Sequence, residues 1–331
     1  MNRRERLCLL LLSLGLLLAF ALALDLGVSD LGLADALGEW RRSESGLASV
    51  VVWEIRLPRA LLAVLVGASL GMAGAAMQGL LRNPLAEPGV LGVSSGAALG
   101  AVLVLYFGLA AAGSWWLPMA AMVGAFVALL LVYLLAGSGT SVLGLILAGV
   151  AINAMAGALI ALALNFAPSL FAFQEIVFWL MGSLANRNLT HLQLAAPFVL
   201  LGCLLMWSRG RFLDALSLGE ESARSLGFDA VRERLLILLG LALAVGASVA
   251  VSGNIGFVGL VVPHLLRPVM SQRPGRLLLA SALGGALLVL LADLLVRQLD
   301  VARELKLGVV TSLVGGPFFL YLLLHSKKRW I

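Results

Sequence analysis

Apolar runs of roughly 20 residues follow one another along almost the whole chain. Each is long enough to cross the hydrocarbon core of a bilayer as a helix, which takes about 20 apolar residues. Of the 331 residues, 61% are hydrophobic and only 12% are charged, about half the charged fraction of a typical soluble domain. We therefore predict an all-α polytopic membrane protein, with residues 1–331 forming a single transmembrane domain.

Ten spans account for these runs. The eighth is too short to cross a bilayer alone and is bounded by glycines and Pro268, a pattern typical of the broken helices that line cavities in transport proteins. The first run resembles a secretory signal peptide, but its apolar core is long for one, which favours a retained span. The predicted spans lie near residues 7–27, 58–80, 90–110, 115–136, 142–165, 192–208, 234–252, 257–270, 277–296 and 307–324.

The positive charges predict how these spans are oriented. With the N-terminus inside, fifteen of the 23 lysines and arginines fall on the cytoplasmic side and the remaining eight fall outside, which fits the positive-inside rule. Both termini are then cytoplasmic. Eight lysines and arginines on the outer side are more than the positive-inside rule leads one to expect there. The net charge of +6 is spread over the loops, so it indicates no nucleic-acid partner.

Two segments that do not span the membrane stand out. Residues 28–57 form an outer segment with a short amphipathic stretch, and residues 209–233 form the longest cytoplasmic loop. In this loop Ser217, followed by Glu220, resembles a capping box that opens a short helix, and Gly227 resembles its C-cap. The loop is either a solvated connector or a docking surface, and the two helix signals favour docking.

The stretch GVSSG, residues 92–96, matches the nucleophile elbow of serine hydrolases letter for letter. That elbow needs a preceding strand and a nearby histidine and acid, whereas Ser94 follows a proline-rich turn and lies between apolar runs. The glycine spacing instead favours close packing of membrane helices, and it predicts that the second and third spans pack against each other. The packing glycines are Gly67, Gly71, Gly92, Gly96 and Gly100.

Two further patterns limit the chemistry of the chain. None of the three lysines follows a glycine, so the chain has no P-loop and cannot hydrolyse ATP by that route. Cys8 and Cys203 lie inside apolar runs, with no disulfide or metal-binding pattern. Asp293 and Arg297 form an i,i+4 pair, which is either a proton relay or an ion pair at the membrane edge. The small number of charges within the spans favours the ion pair.

Several stretches together resemble one family. RLPRALLAVLVGASLGMAGAAMQGLLRNPLAEPGVLGVSSGAALG (56–100) and SGNIGFVGLVVPHLLRP (252–268) are similar to the FecCD-type permeases. These are subunits of type II ABC importers for iron–siderophore complexes, heme and corrinoids. The resemblance extends over nearly the whole chain from residue 50 onward. Lys306 and Leu307 depart from it, since many members carry a proline before the last span.

This resemblance implies a set of partners. It implies the type II ABC importer permease fold, with about ten helices per subunit, working as a homodimer or as a pseudo-dimer with a second permease in a bacterial inner membrane. Two copies of a separate ATPase subunit, which bind ATP and Mg, would sit below the dimer. A soluble substrate-binding protein would dock outside. The chain itself would be a transport subunit, not an enzyme, and would bind no cofactor.

The resemblance also implies residue roles. Arg56, Arg59 and, less securely, Arg297 would pair with glutamates on the binding protein; the alternative is that they snorkel at the outer interface. The loop 209–233 would couple to the ATPase through Leu218, Gly219, Glu220, Glu221, Arg224 and Gly227. Residues that would line the pathway, or serve only in helix packing, are Asn153, Asn165, Phe171 and Phe173.

The predicted function is the uptake of an iron chelate, a ferric siderophore or heme, across the inner membrane. A corrinoid such as cobalamin is the alternative substrate. Two hypotheses from other classes stay open: a proton-coupled secondary transporter that uses Asp293, and an intramembrane hydrolase that uses Ser94.

Overall fold

The computed structural model describes residues 2–27, 29–42, 46–113, 115–137, 142–299 and 305–327. Every regular element in these ranges is a helix, which confirms the predicted fold class. Of the charges counted for orientation, Arg303, Lys328 and Arg329 lie outside the described residues. The helices are α1 Arg3–Asp25, α2 Leu33–Arg41, α3 Leu47–Ser49, α4 Leu57–Leu80, α5 Val93–Tyr106, α6 Trp116–Ala136, α7 Val142–Asn165, α8 Leu170–Leu180, α9 Leu189–Ser208, α10 Gly210–Leu216, α11 Glu220–Ser225, α12 Ala230–Ser252, α13 Val258–Leu266, α14 Pro274–Gln298 and α15 Leu307–Lys327.

Seven helical stretches in the described part of the chain are long and apolar enough to cross a membrane. One of them, Leu47–Leu80, joins α3 to α4 through a π-helical stretch, Val50–Arg56. The third and eighth predicted spans correspond to shorter apolar helices, α5 with 14 residues and α13 with nine, and the tenth corresponds to α15, with 21 residues. Each of the ten predicted spans therefore contains a helix, but the third is shorter than predicted because a 3-10 turn, Pro88–Leu91, precedes it.

The centre of the bundle is formed by α4 and α12. Of the 18 most apolar consecutive residues, 78% are buried both in the Leu47–Leu80 stretch, which contains α4, and in α12. The corresponding share is 17% in α1 and 28% in α6. The central helices are rich in glycine, alanine and serine, which let backbones approach closely. The hydroxyls of Ser69 on α4 and Ser248 on α12 are hydrogen-bonded to each other in this core. The apolar side chains on the outside of α1, α6, α7 and α9 are those expected to face lipid.

Helix α4 packs most extensively along α14. A β-carbon added at Gly67 would overlap the backbone carbonyl of Gly285, and one added at Gly71 would overlap the carbonyl of Ser281. A β-carbon added at Gly285 would in turn overlap the carbonyl of Gly67. The two backbones are therefore in direct contact, and only glycine fits at these positions.

The partner predicted for the third span is wrong. Helix α5 packs along α6 and not along α4, and a β-carbon at Gly96 or Gly100 would meet the carbonyl of Gly124 or Ala120 on α6. Gly92 does not share their face, because it is the N-cap of α5, with a φ of +75° that favours glycine. The spacing identified small residues at close contacts but carried no information about which helix they touch.

The two ends of the bundle can be told apart by their contacts. At the end where α1 begins, the carboxylate of Glu5 pairs with Arg276 at 2.7 Å. The loop 209–233 reaches the same end, because Asp214 accepts a hydrogen bond from the backbone N–H of Gly275 at 2.8 Å. We call this end the inner face and the opposite end, where α1 ends, the outer face. The N-terminus and the loop thus lie on one side, as an even number of spans between them requires.

Candidate functional site

A cluster of charged residues joins three helices at the outer face. The carboxylate of Asp293, on α14, accepts hydrogen bonds from Nε of Arg59, on α4, at 3.0 Å and from Nη2 of the same side chain at 2.9 Å. It also pairs with Nη2 of Arg297, one turn further along α14. Arg297 donates a second hydrogen bond to the carbonyl of Ala23, on α1, at 3.1 Å. The Asp293–Arg297 pair predicted from the sequence is present, and Arg59 completes it.

Arg56 lies close to this cluster and is bound differently. It donates to the carbonyl oxygens of Leu24 and Ser29, each at 3.0 Å, and to that of Asp25. Only 5% of the residue is exposed. These carbonyls belong to the last turn of α1 and the stretch after it, where the helix leaves backbone oxygens without intrahelical partners. Arg56 therefore caps the outer end of α1.

The three arginines expected to dock a partner are thus together at the outer face, but beneath its surface. The side chains of Arg59 and Arg297 are 15% and 6% exposed, and that of Asp293 is 1% exposed. The ion pair between Arg59 and Asp293 joins residues 234 positions apart in the sequence, so no local pattern could have predicted it.

The inner loop folds into two short helices, α10 and α11. The predicted capping box is wrong: Ser217 donates its hydroxyl to the carbonyl of Asp214, within the last turn of α10. Gly219, with a φ of +117°, is the N-cap of α11 instead. Gly227 has a φ of +87° and its N–H bonds to the carbonyl of Arg224, as in a glycine-terminated helix.

Contacts with α12 hold this loop in place. Glu220 accepts a hydrogen bond from the buried Arg234, on α12, at 2.6 Å and pairs with Arg224 at 2.9 Å. The hydrogen bond from Arg234 is the main reason that the pKa of Glu220 lies below its ordinary value. Phe212, which is fully buried, packs edge-on against Phe228 at 5.8 Å between ring centres. Glu220 therefore has a role in folding the loop as well as any role in docking.

The outward surface of the loop is apolar at two points. Leu218 and Leu226 flank α11 and are 74% and 64% exposed, and Glu221 between them is also exposed. Unlike the exposed leucines of the spans, these two lie on a loop at the inner face, where lipid tails would not cover them. These two side chains, on either side of one short helix, are therefore a candidate contact surface for another protein.

A cavity of about 950 Å³ lies between the N-terminal turn of α5, the C-terminal end of α8, the start of α13 and one face of α15. Asn153, on α7, lines it. Its amide nitrogen donates to the carbonyl of Gly89 at 2.8 Å, and its oxygen accepts a hydrogen bond from Ser95. Asn153 thereby fixes the turn at the cavity wall. Asn165, Phe171 and Phe173 do not line this cavity.

The sequence interpretation missed other residues of the cavity. Asn254, Phe257 and Ser312 line it, and Glu87 is the only charged residue among those that the structure places in its wall. Burial raises the pKa of Glu87. The stretches EPG and SGNIG carried the signal for Glu87 and Asn254, since both interrupt apolar runs with glycine and polar residues. Phe257, with a φ of +66°, marks the break before α13.

The fold and these sites can now be set beside known proteins. A model of the FecCD transport family matches residues 15–325. The chain belongs to the FecCD transport family. This membership confirms the resemblance inferred from the sequence, and it makes the chain a multi-pass transport permease and not an enzyme.

Two relatives within the FecCD family are similar over almost their full length. The hemin transport system permease protein HmuU of Yersinia pestis is 41% identical over 331 residues, covering 96% of this chain and 97% of HmuU. The vitamin B12 import system permease protein BtuC of Salmonella typhi is 39% identical over 320 residues, covering 96% of this chain and 95% of BtuC. The family therefore includes permeases for more than one metal chelate.

Solved structures agree with the fold. An inward-facing metal-chelate type ABC transporter superposes with a TM-score of 0.84 at 34% identity, over 96% of this chain and 98% of that one. PsaBC from Streptococcus pneumoniae, at 18% identity and a TM-score of 0.54, covers 87% of this chain and 94% of its own and shares the fold alone.

Proposed function

We propose that this chain is the permease subunit of an ATP-driven importer that carries an iron chelate, heme or a ferric siderophore, across a bacterial inner membrane. Both termini would be cytoplasmic, and the inner face defined above would be the cytoplasmic face. The observation that carries the proposal is the fixed inner loop with its exposed leucines, on a FecCD-family chain whose sequence has no P-loop. Because the chain has no P-loop, transport driven by ATP needs a second protein that hydrolyses the nucleotide.

The inner loop supports an ATPase as the partner on the cytoplasmic side. Leu218 and Leu226 would enter a groove of the ATPase, with Glu221 and Arg224 at the rim. Glu220 and the glycines Gly219 and Gly227 would keep the loop in shape. Closure of an ATPase dimer around ATP and Mg would then displace the loop as a unit and shift the spans attached to it.

The outer cluster supports a soluble binding protein as the partner on the other side. Arg56, Arg59 and Arg297 place three positive charges at one point of the outer face. Such charges act mainly on the orientation and the association rate of an acidic partner. Of the two arginines that contact Asp293, Arg59 is more exposed than Arg297. A glutamate of the partner would therefore reach Arg59 first.

We further propose a homodimer, with the cavity and the surface beside α8 facing the second copy. Phe171 is 74% exposed and Phe173 is 40% exposed, although neither lines the cavity of the single chain. With Asn165 at the end of α7, they would line the pathway only where two copies meet. Asn153 and Glu87 would lie deeper, on the wall of each subunit.

The substrate is proposed from the relatives. HmuU, a hemin permease, favours an iron chelate, BtuC keeps a corrinoid as the alternative, and the metal-chelate type transporter fits either substrate. Proton coupling through Asp293 is disfavoured because both of its oxygens are engaged by Arg59 and Arg297. A relay carboxylate needs an oxygen that can exchange a proton with water or a neighbour.

Co-purification tests this proposal. The tagged full-length chain, extracted from its native membrane in a mild detergent, is expected to retain an ATPase subunit, identified by mass spectrometry and by ATP hydrolysis. Native mass spectrometry is expected to give two permease chains and two ATPase chains. The periplasmic fraction passed over the immobilised complex identifies the binding protein. A stable chain that retains no nucleotide hydrolase would contradict the proposal.

A further inference from the structure

Asp293 is a buried carboxylate that the transport mechanism proposed above leaves without a role. We propose that it is an internal latch: it holds Arg59 and Arg297 inside the outer face, and a carboxylate of the docking binding protein displaces it. The inference rests on the docking role of the arginines proposed above. Asp293 would then set the affinity of docking by competing with the partner for the same guanidinium groups.

The first argument is the charge balance of the cluster. Arg56, Arg59 and Arg297 carry three positive charges; the carboxylate of Asp25 lies near Arg56, and that of Asp293 binds the other two arginines. The carboxylate of Asp25 is occupied in part by the backbone N–H of Leu33. Three guanidinium groups are therefore close together at the face where an acidic partner is proposed to dock.

The second argument is the geometry of the donors. Asp293 engages two nitrogens of Arg59 at 2.9–3.2 Å, so that side chain is directed inward. The Nε–H of Arg297 is buried without a hydrogen-bond partner. A buried donor with no acceptor is unfavourable, and the cluster would gain by rearranging around a new acceptor.

The third argument is access. With side-chain exposures of 15% for Arg59 and 6% for Arg297, a partner glutamate cannot form a two-pronged ion pair with either arginine in its present position. Arginine has a long flexible stem, and its head can swing outward while the stem stays packed. That movement breaks the contact with Asp293, so docking and the latch exclude each other.

The direction of the effect distinguishes a latch from a structural ion pair. Asp293→Asn keeps the size of the side chain and removes its charge, so the arginines are held less strongly and are free to bind the partner. The latch predicts that the binding protein binds about five- to tenfold more tightly to this variant. A structural role predicts the opposite, because loss of the charge would disorder the arginines and weaken docking.

The experiment uses the permease–ATPase complex in nanodiscs and the substrate-free binding protein identified by the co-purification above. Its dissociation constant is measured by biolayer interferometry for wild type, Asp293→Asn, Arg59→Gln and Glu54→Gln. Glu54 is exposed at the outer end of the Leu47–Leu80 stretch, so its variant loses the same charge without touching the latch. If Asp293→Asn is poorly folded, the same substitution is measured in an Arg297→Gln background and compared with Arg297→Gln alone, because the double variant keeps the net charge of the cluster.

The outcomes separate the two proposals. Tighter binding by Asp293→Asn, with little change for Glu54→Gln and weaker binding for Arg59→Gln, supports the latch. Equal tightening by Glu54→Gln, or unchanged or weaker binding by Asp293→Asn in both backgrounds, overturns it. If Arg59→Gln leaves binding unchanged, the docking role itself fails, and the latch fails with it.

Discussion

Replacing Leu218 and Leu226 together with glutamate is expected to abolish ATP-driven uptake while leaving the permease folded. Both side chains are exposed on the inner loop, and a well-packed apolar anchor at an interface contributes about 2 kcal/mol or more, or about thirtyfold in affinity. Two buried carboxylates would oppose docking further. The measurement is retention of the ATPase by the tagged permease, followed by ATP-dependent uptake in proteoliposomes.

The control for this prediction is Leu47→Glu. Leu47 is 76% exposed, as much as Leu218, but it lies at the start of the Leu47–Leu80 stretch near the outer face. That variant is expected to retain the ATPase. Full retention of the ATPase by the double loop variant would show that the two leucines are not part of the coupling surface.

Replacing Gly71 with alanine is expected to destabilise the permease strongly, although only one methyl group is added. The new β-carbon would overlap the carbonyl of Ser281 on α14, and a backbone atom cannot move aside as a flexible side chain does. Overpacking of this kind costs about 1–3 kcal/mol, and here it would separate α4 from α14. The measurements are the melting temperature of the variant in detergent, which is expected to fall, and its uptake activity, which is expected to be lost.

Gly15→Ala makes the same chemical change without the clash. Its β-carbon would lie 3.4 Å from a methyl group of Leu287, which is ordinary contact, and alanine favours a helix over glycine by about 1 kcal/mol. This variant is expected to be as stable as wild type or slightly more so. Equal melting temperatures for the two variants would mean that the α4–α14 contact does not limit stability.

Local composition was enough to predict the spans and the family. Long apolar runs report membrane helices because the bilayer sets their length, and motifs such as SGNIGFVGLVVPHLLRP lie within one continuous stretch. The sequence also predicted a short helix in the inner loop, and α11 lies there. These features depend on neighbouring residues and can be read from the chain directly.

The errors arose where distant segments meet. Glycine spacing on the second and third spans did not reveal that α4 packs on α14 and α5 on α6, since any helix with small residues could serve as partner. Ser217 matched a capping box, but α10 extends far enough for its hydroxyl to bond back to Asp214. Arg59 was assigned to docking without its partner Asp293, which lies on another helix.

Energy coupling in proteoliposomes tests the central claim most directly. The permease, its ATPase and its binding protein are reconstituted, and uptake of labelled heme, ferric siderophores and cobalamin is measured with and without ATP and with a proton uncoupler. Uptake of an iron chelate that requires ATP and the binding protein and persists with the uncoupler is the predicted result. Uptake by the permease alone, driven by an imposed proton gradient and abolished by the uncoupler, would contradict an ATP-driven importer.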